Sequence, residues 1–174
     1  MIHTKEELMI IDKYLNAVDQ DVIEYVKKVY QGEKPTPITV GFLSDRTAEE
    51  IEHLTGKKTY GNRVVLDDNG VIHIRNRHGK GGAQDESMAN LEDIARMGYV
   101  LANYDKIEFH NEYAQGYVDA NGKLAPKIVF SKRIDGTYFV IEAVSDAKKH
   151  RNYVVSAFIQ SRKEKSDLSV PNNA

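Results

Sequence analysis

KIVFSKRIDGTYFVIEAV, residues 127–144, decides how this chain folds. Two apolar-rich runs, Lys127–Arg133 and Tyr138–Val144, flank Asp135-Gly136, a dipeptide that closes tight antiparallel hairpins. Read as a two-residue loop, the turn pairs Ile134 with Thr137, so Lys132 faces Phe139, Phe130 faces Ile141 and Ile128 faces Ala143. That face is expected to be core. The other carries Lys127, Val129, Ser131, Arg133, Tyr138, Val140 and Glu142.

Strand-like runs extend on both sides: Ile107–Tyr113 and Gln115–Val118 before the hairpin, with Asn121-Gly122 as a turn, and Tyr153–Gln160 after it. On the last run Val155, Ala157 and Ile159 are expected inward, leaving Ser156, Phe158 and Gln160 on the opposite face. Further upstream the pattern becomes helical. Thr4 and Glu7 form a capping-box signature opening one helix to about residue 30, and Thr47 with Glu50 repeats it before a brief helix that Gly56 ends. Asn90 caps a third helix running to about Leu101. Ile38–Leu43 reads as a short strand, and Arg63–Asp68 with Val71–Arg75 as a hairpin about Asn69-Gly70. The expected architecture is α+β, N-terminal helices followed by a curved antiparallel β-sheet. It divides into a helical segment 1–36, a main domain 37–163 and a flexible tail 164–174.

The chain has 174 residues and a net charge of −2, with no cysteine. Disulfides, thiolate nucleophiles and thiolate zinc sites are therefore excluded. No apolar run approaches the roughly 18 residues of a membrane span, and no signal-peptide pattern opens the chain, so a cytoplasmic setting is expected. Residues 122–165 hold 10 basic and 4 acidic side chains, a local +6. One basic face able to meet a polyanion is compatible with the near-neutral whole, as is a merely solvated basic surface.

GVIHIRNRHGKGG, residues 70–82, is the densest chemistry. Imidazoles at His73 and His78 suit general acid or base work, while Arg75, Arg77 and Lys80 suit phosphate charge. As a helix the segment puts His73 and Arg77 on one face and Arg75 with His78 on a neighbouring one. As a strand it turns His73, Arg75 and Arg77 one way and His78 the other. The glycines following His78 would let a backbone approach phosphate, but no nucleotide-loop motif is present. The two histidines lie five apart with cations between them, so no metal site and no cofactor is expected. A metal-free ribonuclease needs a base for the 2′-hydroxyl, an acid for the departing 5′-oxygen and donors for the phosphorane charge, all of which this composition offers. A purely structural role for the histidines is the alternative.

The runs HIRNRHGKGG, QDESMANLEDIARMGYVLANYDKIEF, KIVFSKRIDGTYFVIEAVSD and NYVVSAFIQSRK resemble the phage barnase/EndoU/colicin/RelE-like (BECR) nucleases found in phage head-morphogenesis proteins and polymorphic toxins. The resemblance spans roughly residues 40–163. It implies a metal-independent endoribonuclease, with tRNA as one candidate substrate, an immunity protein as a partner and no membrane association. By resemblance, Arg75 and His78 match a basic residue three before a histidine, and Ser156 and Phe158 a serine and aromatic two apart on the last strand. His73 and Arg77 fit the histidine–arginine segment of the phage group, and Lys132 a lysine before the final hairpin turn, although the register turns it toward the core. The expected catalytic set is His73, Arg75, Arg77, His78, Lys132 and Ser156, with Lys80, Ser131, Arg133 and Phe158 binding substrate. Glu142 is the sheet carboxylate expected to take the place of the glutamate base of barnase-like enzymes. The competing function is a catalytically silent RNA- or protein-binding domain of a phage virion protein.

Overall fold

In the computed structural model, which describes residues 3–161 without the side chains at 111 and 112, the expected α+β architecture is present. Tail residues 164–174 lie outside the described part. Thr4 caps the first helix, α1 (Lys5–Leu15), through a reciprocal box with Glu7 (3.0 and 3.1 Å). The expected single helix is broken at residues 16–19. Asp19 accepts from the Asp21 amide and starts α2 (Gln20–Tyr30), because an aspartate satisfies an orphan amide best at a helix start. Strand β1 (Ile38–Phe42) follows, then α3 (Asp45–Thr55), capped by Ser44 rather than Thr47 and ended by Gly56 at φ 75°.

Strand β2 (Arg63–Leu66) leads into α4 (Asp68–His78), not into a hairpin. Asp67 accepts from the Gly70 amide at 2.9 Å, so Asn69-Gly70 forms a first helical turn. Val71, Ile74 and His78, three and four apart, are its buried positions. Asn90 caps α5 (Leu91–Ile94) as expected, but the helix stops there and α6 (Met97–Ala102) restarts after a break. Long β3 (Lys106–Val118), β4 (Leu124–Arg133), β5 (Thr137–Ala143) and β6 (Arg151–Gln160) complete the described residues.

The six strands lie in the order β1-β2-β6-β5-β4-β3, antiparallel except for the β2–β6 pair. The β4–β5 turn contains three residues: Arg133 pairs with Thr137, Lys132 with Tyr138 and Phe130 with Val140. Against the two-residue expectation this slips β5 by one position and exchanges its faces. Tyr138, Val140 and Glu142 point to the helices, while Phe139, Ile141 and Ala143 point away. On β6 Ala157 joins the helix-side core and Ser156 and Phe158 oppose it, as expected, but a bulge at Ile141/Glu142 makes Val154 the inward residue and sends Val155 to the other face.

The main core joins Ile128, Phe130, Tyr138, Val140 and Val154 to Val26, Ile51, Ile74 and Met97 from the helices. Each such side chain contributes about 1.5–3 kcal/mol when fully buried. Tyr14 and Arg96 both bond the Asp93 carboxylate at 2.9 Å, fastening α1 to α5 and α6. The opposite face has a smaller apolar floor of Val129, Phe139, Ile141 and Phe158. Beyond the short β2, α4 continues alongside β6. Gly70 is required there, since a Cβ would run into the Val154 carbonyl oxygen. Among the described residues no helix is long and apolar enough to cross a membrane.

Candidate active site

After His78 the chain reverses sharply against its own helix. The amides of Ala83 and Gln84 reach the carbonyls of Asn76 and Arg77 at 2.9 Å, and Met88 reaches that of His78 at 2.7 Å. These are end-of-helix carbonyls that otherwise lack donors. A Cβ at Gly79 or Gly82 would sit 2.7 Å from a helix carbonyl oxygen, so these two glycines of G-K-G-G serve the reversal. They do not open a backbone path to phosphate. Lys80 is exposed at its tip.

The reversal carries Asp85 back to His78. Its Oδ2 lies 3.0 Å from His78 Nδ1, and its Oδ1 accepts from the Ser87 amide at 3.0 Å. Ser87 Oγ in turn accepts from the Ile159 amide, tying the loop to β6. A carboxylate on Nδ1 fixes the proton there in the neutral ring and leaves the Nε2 lone pair available. Nε2 is buried with no hydrogen-bond partner among the described residues. The ring stacks on Phe158 at 4.7 Å, and Phe158 stacks on Phe139 at 5.0 Å. Burial lowers the His78 pKa and outweighs the opposing pull of Asp85.

His73, on the same helix, is pushed down to about 4, chiefly by burial and then by the positive charges of Arg77, His78 and Lys127. Those influences locate the cluster: α4 supplies His73, Arg77 and His78, and β4 supplies Lys127 from beneath. In register, Lys127 pairs with His110, and Glu108 pairs with Val129, whose other neighbour Ile141 pairs with Ser156. Glu108, His110, Lys127, Ser131, Ser156 and Phe158 therefore share one sheet face, bordered by α4. Ser156 is 1% exposed, and its Oγ, like His73 Nε2 and Glu108 Oε1, is buried without a partner among the described residues. Unpaired buried polar atoms are costly, and they occur elsewhere as well, at Tyr25 Oη, Thr59 Oγ1 and Glu142 Oε2; those of this face differ in sharing it with two cations and bordering His78.

Of the residues expected from sequence, Ser131 and Ser156, each 1% exposed, lie on this sheet face, and His73, Arg77 and His78 lie on the helix that borders it. Phe158 meets them but lies between two rings at 3% exposure, so it supports His78 and has no face left for a base. Arg75 is placed elsewhere, its guanidinium 4.8 Å over the Tyr30 ring of α2. Lys132 points to the helix side and pairs with Asp105 at 2.9 Å. Arg133 is exposed at the sheet end. Glu142 corrects the sequence reading most sharply. The register slip buries it completely on the helix side, where one oxygen accepts from Asn152 (3.2 Å) and burial raises its pKa to about 8. Glu108, His110, Lys127 and Asp85 were missed. The alternation in KIEFH, pairing His110 with Lys127 across the ladder, was the signal for the first three. Among the described residues no three histidines or carboxylates are placed to hold a metal ion.

A family described as phage-Barnase-EndoU-ColicinE5/D-RelE like nuclease3 matches residues 41–167, leaving α1 and α2 outside. No curated protein and no solved structure matches the chain. The match takes in the whole sheet but its first few residues, α4 and the Asp85 loop, and it covers well over half of the chain: the chain belongs to the phage barnase/EndoU/colicin E5-D/RelE-like nucleases.

Proposed function

We propose that the chain is a metal-independent endoribonuclease. His78 Nε2 takes the proton of a ribose 2′-hydroxyl, O2′ attacks the adjacent phosphorus, and the P–O5′ bond breaks to leave a 2′,3′-cyclic phosphate. Arg77 and Lys127 neutralise the phosphate, and the Ser156 hydroxyl donates to a non-bridging oxygen as charge develops. His73 returns a proton to the departing O5′. Burial and then the neighbouring cations lower its pKa, and a bound phosphate, as an anion beside the ring, favours the protonated form that donates. The observation that carries this reading is His78 itself, gripped by Asp85 on one nitrogen and unpartnered on the other, beside His73 and Arg77.

Cleavage of RNA in EDTA, with cyclic-phosphate and 5′-hydroxyl ends on the products, is the expected result. Loss of cleavage with chelator and recovery with Mg²⁺ or Zn²⁺ overturns the mechanism. The wider setting follows by family resemblance: a toxin acting in a bacterial cytoplasm, with tRNA as one candidate target and an immunity protein as guard. Induction in bacteria should then arrest growth, while the His78→Ala chain does not. The burial of Ser156 and His78 favours one competing reading, a silent binding domain; that reading gains if both chains leave growth and RNA untouched.

A further inference from the structure

At one end of the sheet, away from the histidines, a cleft of about 460 Å³ opens between the end of α3 and the β3–β4 hairpin. Phe109 (42% exposed) and Tyr113 (60%) line it from β3, with Leu124 and Lys123 from the hairpin. Large aromatic rings left in water on an edge strand need a reason, because burying them is worth more than almost any other contact. Lys57 closes the cleft floor, bonded to Asp119 at 2.9 Å and 3.7 Å from Asp146. Asp146 also accepts from the Ala120 amide at 2.7 Å, so the β3–β4 turn and the loop before β6 are fastened together. That loop presents Lys148 and Lys149 to solvent and ends at His150, which holds a left-handed φ of 53°. Lys123, Lys148 and Lys149 have no ion-pair partner among the described residues, whereas Lys57 is fully engaged.

We infer that this cleft and loop form a subsite for single-stranded RNA outside the catalytic face. An unpaired base stacks on Tyr113 and Phe109, and the flanking phosphates lie on Lys123, Lys148 and Lys149. Exposed aromatics interleaved with unpaired cations suit single strands, since every base offers a π-face and every linkage a negative charge. The route between the two sites is short. Phe109 and His110 are consecutive on the edge strand β3, one projecting to the cleft side and the other to the catalytic face. A strand that rounds this edge touches both. The inference rests on RNA being the substrate, but not on cleavage.

The test measures anisotropy of a fluorescent 2′-O-methyl oligoribonucleotide, which lacks the attacking hydroxyl and so reports binding whether or not the chain cleaves. The full chain should bind the single strand more tightly than the same oligonucleotide in a duplex. Tyr113→Ala should weaken binding roughly 5–100-fold, the loss of one stacked base. Lys148→Glu with Lys149→Glu should reduce the slope of log affinity against log salt by about 1.4. Variants that bind like the parent, equal affinity for duplex, or displacement by poly-glutamate with Tyr113→Ala indifferent, which would point to an acidic protein ligand, each overturn the inference.

Discussion

The two faces of the sheet hold their polar groups differently. On the helix side, Tyr14, Tyr138 and Arg96 converge on Asp93, and burial raises the pKa of Glu142 to about 8, with one of its oxygens bonded by Asn152 and the other, like Arg96 Nε, without a partner among the described residues. On the other side, His73, His78, Ser156 and Glu108 each keep an atom with no partner among the described residues, over a floor of four apolar side chains. A fold spends polar atoms on its own core when it bonds them internally. Where it leaves them unbonded, on either face, it does so at some cost in stability, and on the second face the proposed ligand supplies the missing half. The helix-side cations Arg75 and Lys132 are engaged by the Tyr30 ring and the Asp105 carboxylate.

Changing that second face should alter chemistry more than folding. His78→Ala should cut RNA cleavage roughly 10²–10⁴-fold, the range for loss of a general base. His78→Gln, which keeps the volume over Phe158, should fall as far while melting like the parent. A well-folded, fully active glutamine variant would erase the distinction between the faces. Ser156→Ala should lower kcat by about 10²-fold. Its stability should change little or even rise, because the hydroxyl removed is buried and unbonded in the free chain. Unfolding midpoints in urea, measured alongside initial rates, check both halves.

Asp85→Asn should cost about 10–100-fold, as for other carboxylates that orient a histidine. It should also shift the acid limb of kcat/KM. Asp85 raises the His78 pKa, so without it the imidazole stays neutral to lower pH and the limb moves downward. An unmoved limb with a reduced rate would assign Asp85 to loop structure alone. The smallest effect is on the helix side: Arg75→Ala should cost about 0.5–1 kcal/mol of stability, the worth of an exposed cation–π contact, with cleavage rates within error of the parent. Loss of cleavage there would return Arg75 to the catalytic set.

Much of this was legible from alternation alone. The strands from Lys106 onward, the turns at residues 121–122 and 135–136, and the facing of Ser156 and Phe158 all follow from period-two patterning. The β5 faces did not, because two- and three-residue loops around Asp135-Gly136 differ by one residue, and one residue reverses every side chain beyond it. That slip alone moved Glu142 from the candidate site into the core. Helix α4 was misread for a different reason. Asn69-Gly70 suits a hairpin turn and, behind a capping Asp67, a first helical turn equally well, and only packing against Val154 decides between them. Glu108, His110 and Lys127 are far apart in sequence from α4, so nothing local announces that they share its face.

The parallel seam between β2 and β6 orders events in time. His78 lies against Phe158, which follows it by 80 residues, and both α4 and the Asp85 loop are held by the last strand. At a synthesis rate of roughly 5–20 residues per second, about 4–16 s separate the two rings' appearance on the ribosome. Closing so long a loop is also the slow kind of folding step. On the proposed mechanism, the site stays incomplete until β6 has been made. A ribosome stalled, or a message truncated, between α4 and β6 yields a chain with His73 and His78 but without Ser156 and Phe158, so the proposed site has one face missing until the last strand docks.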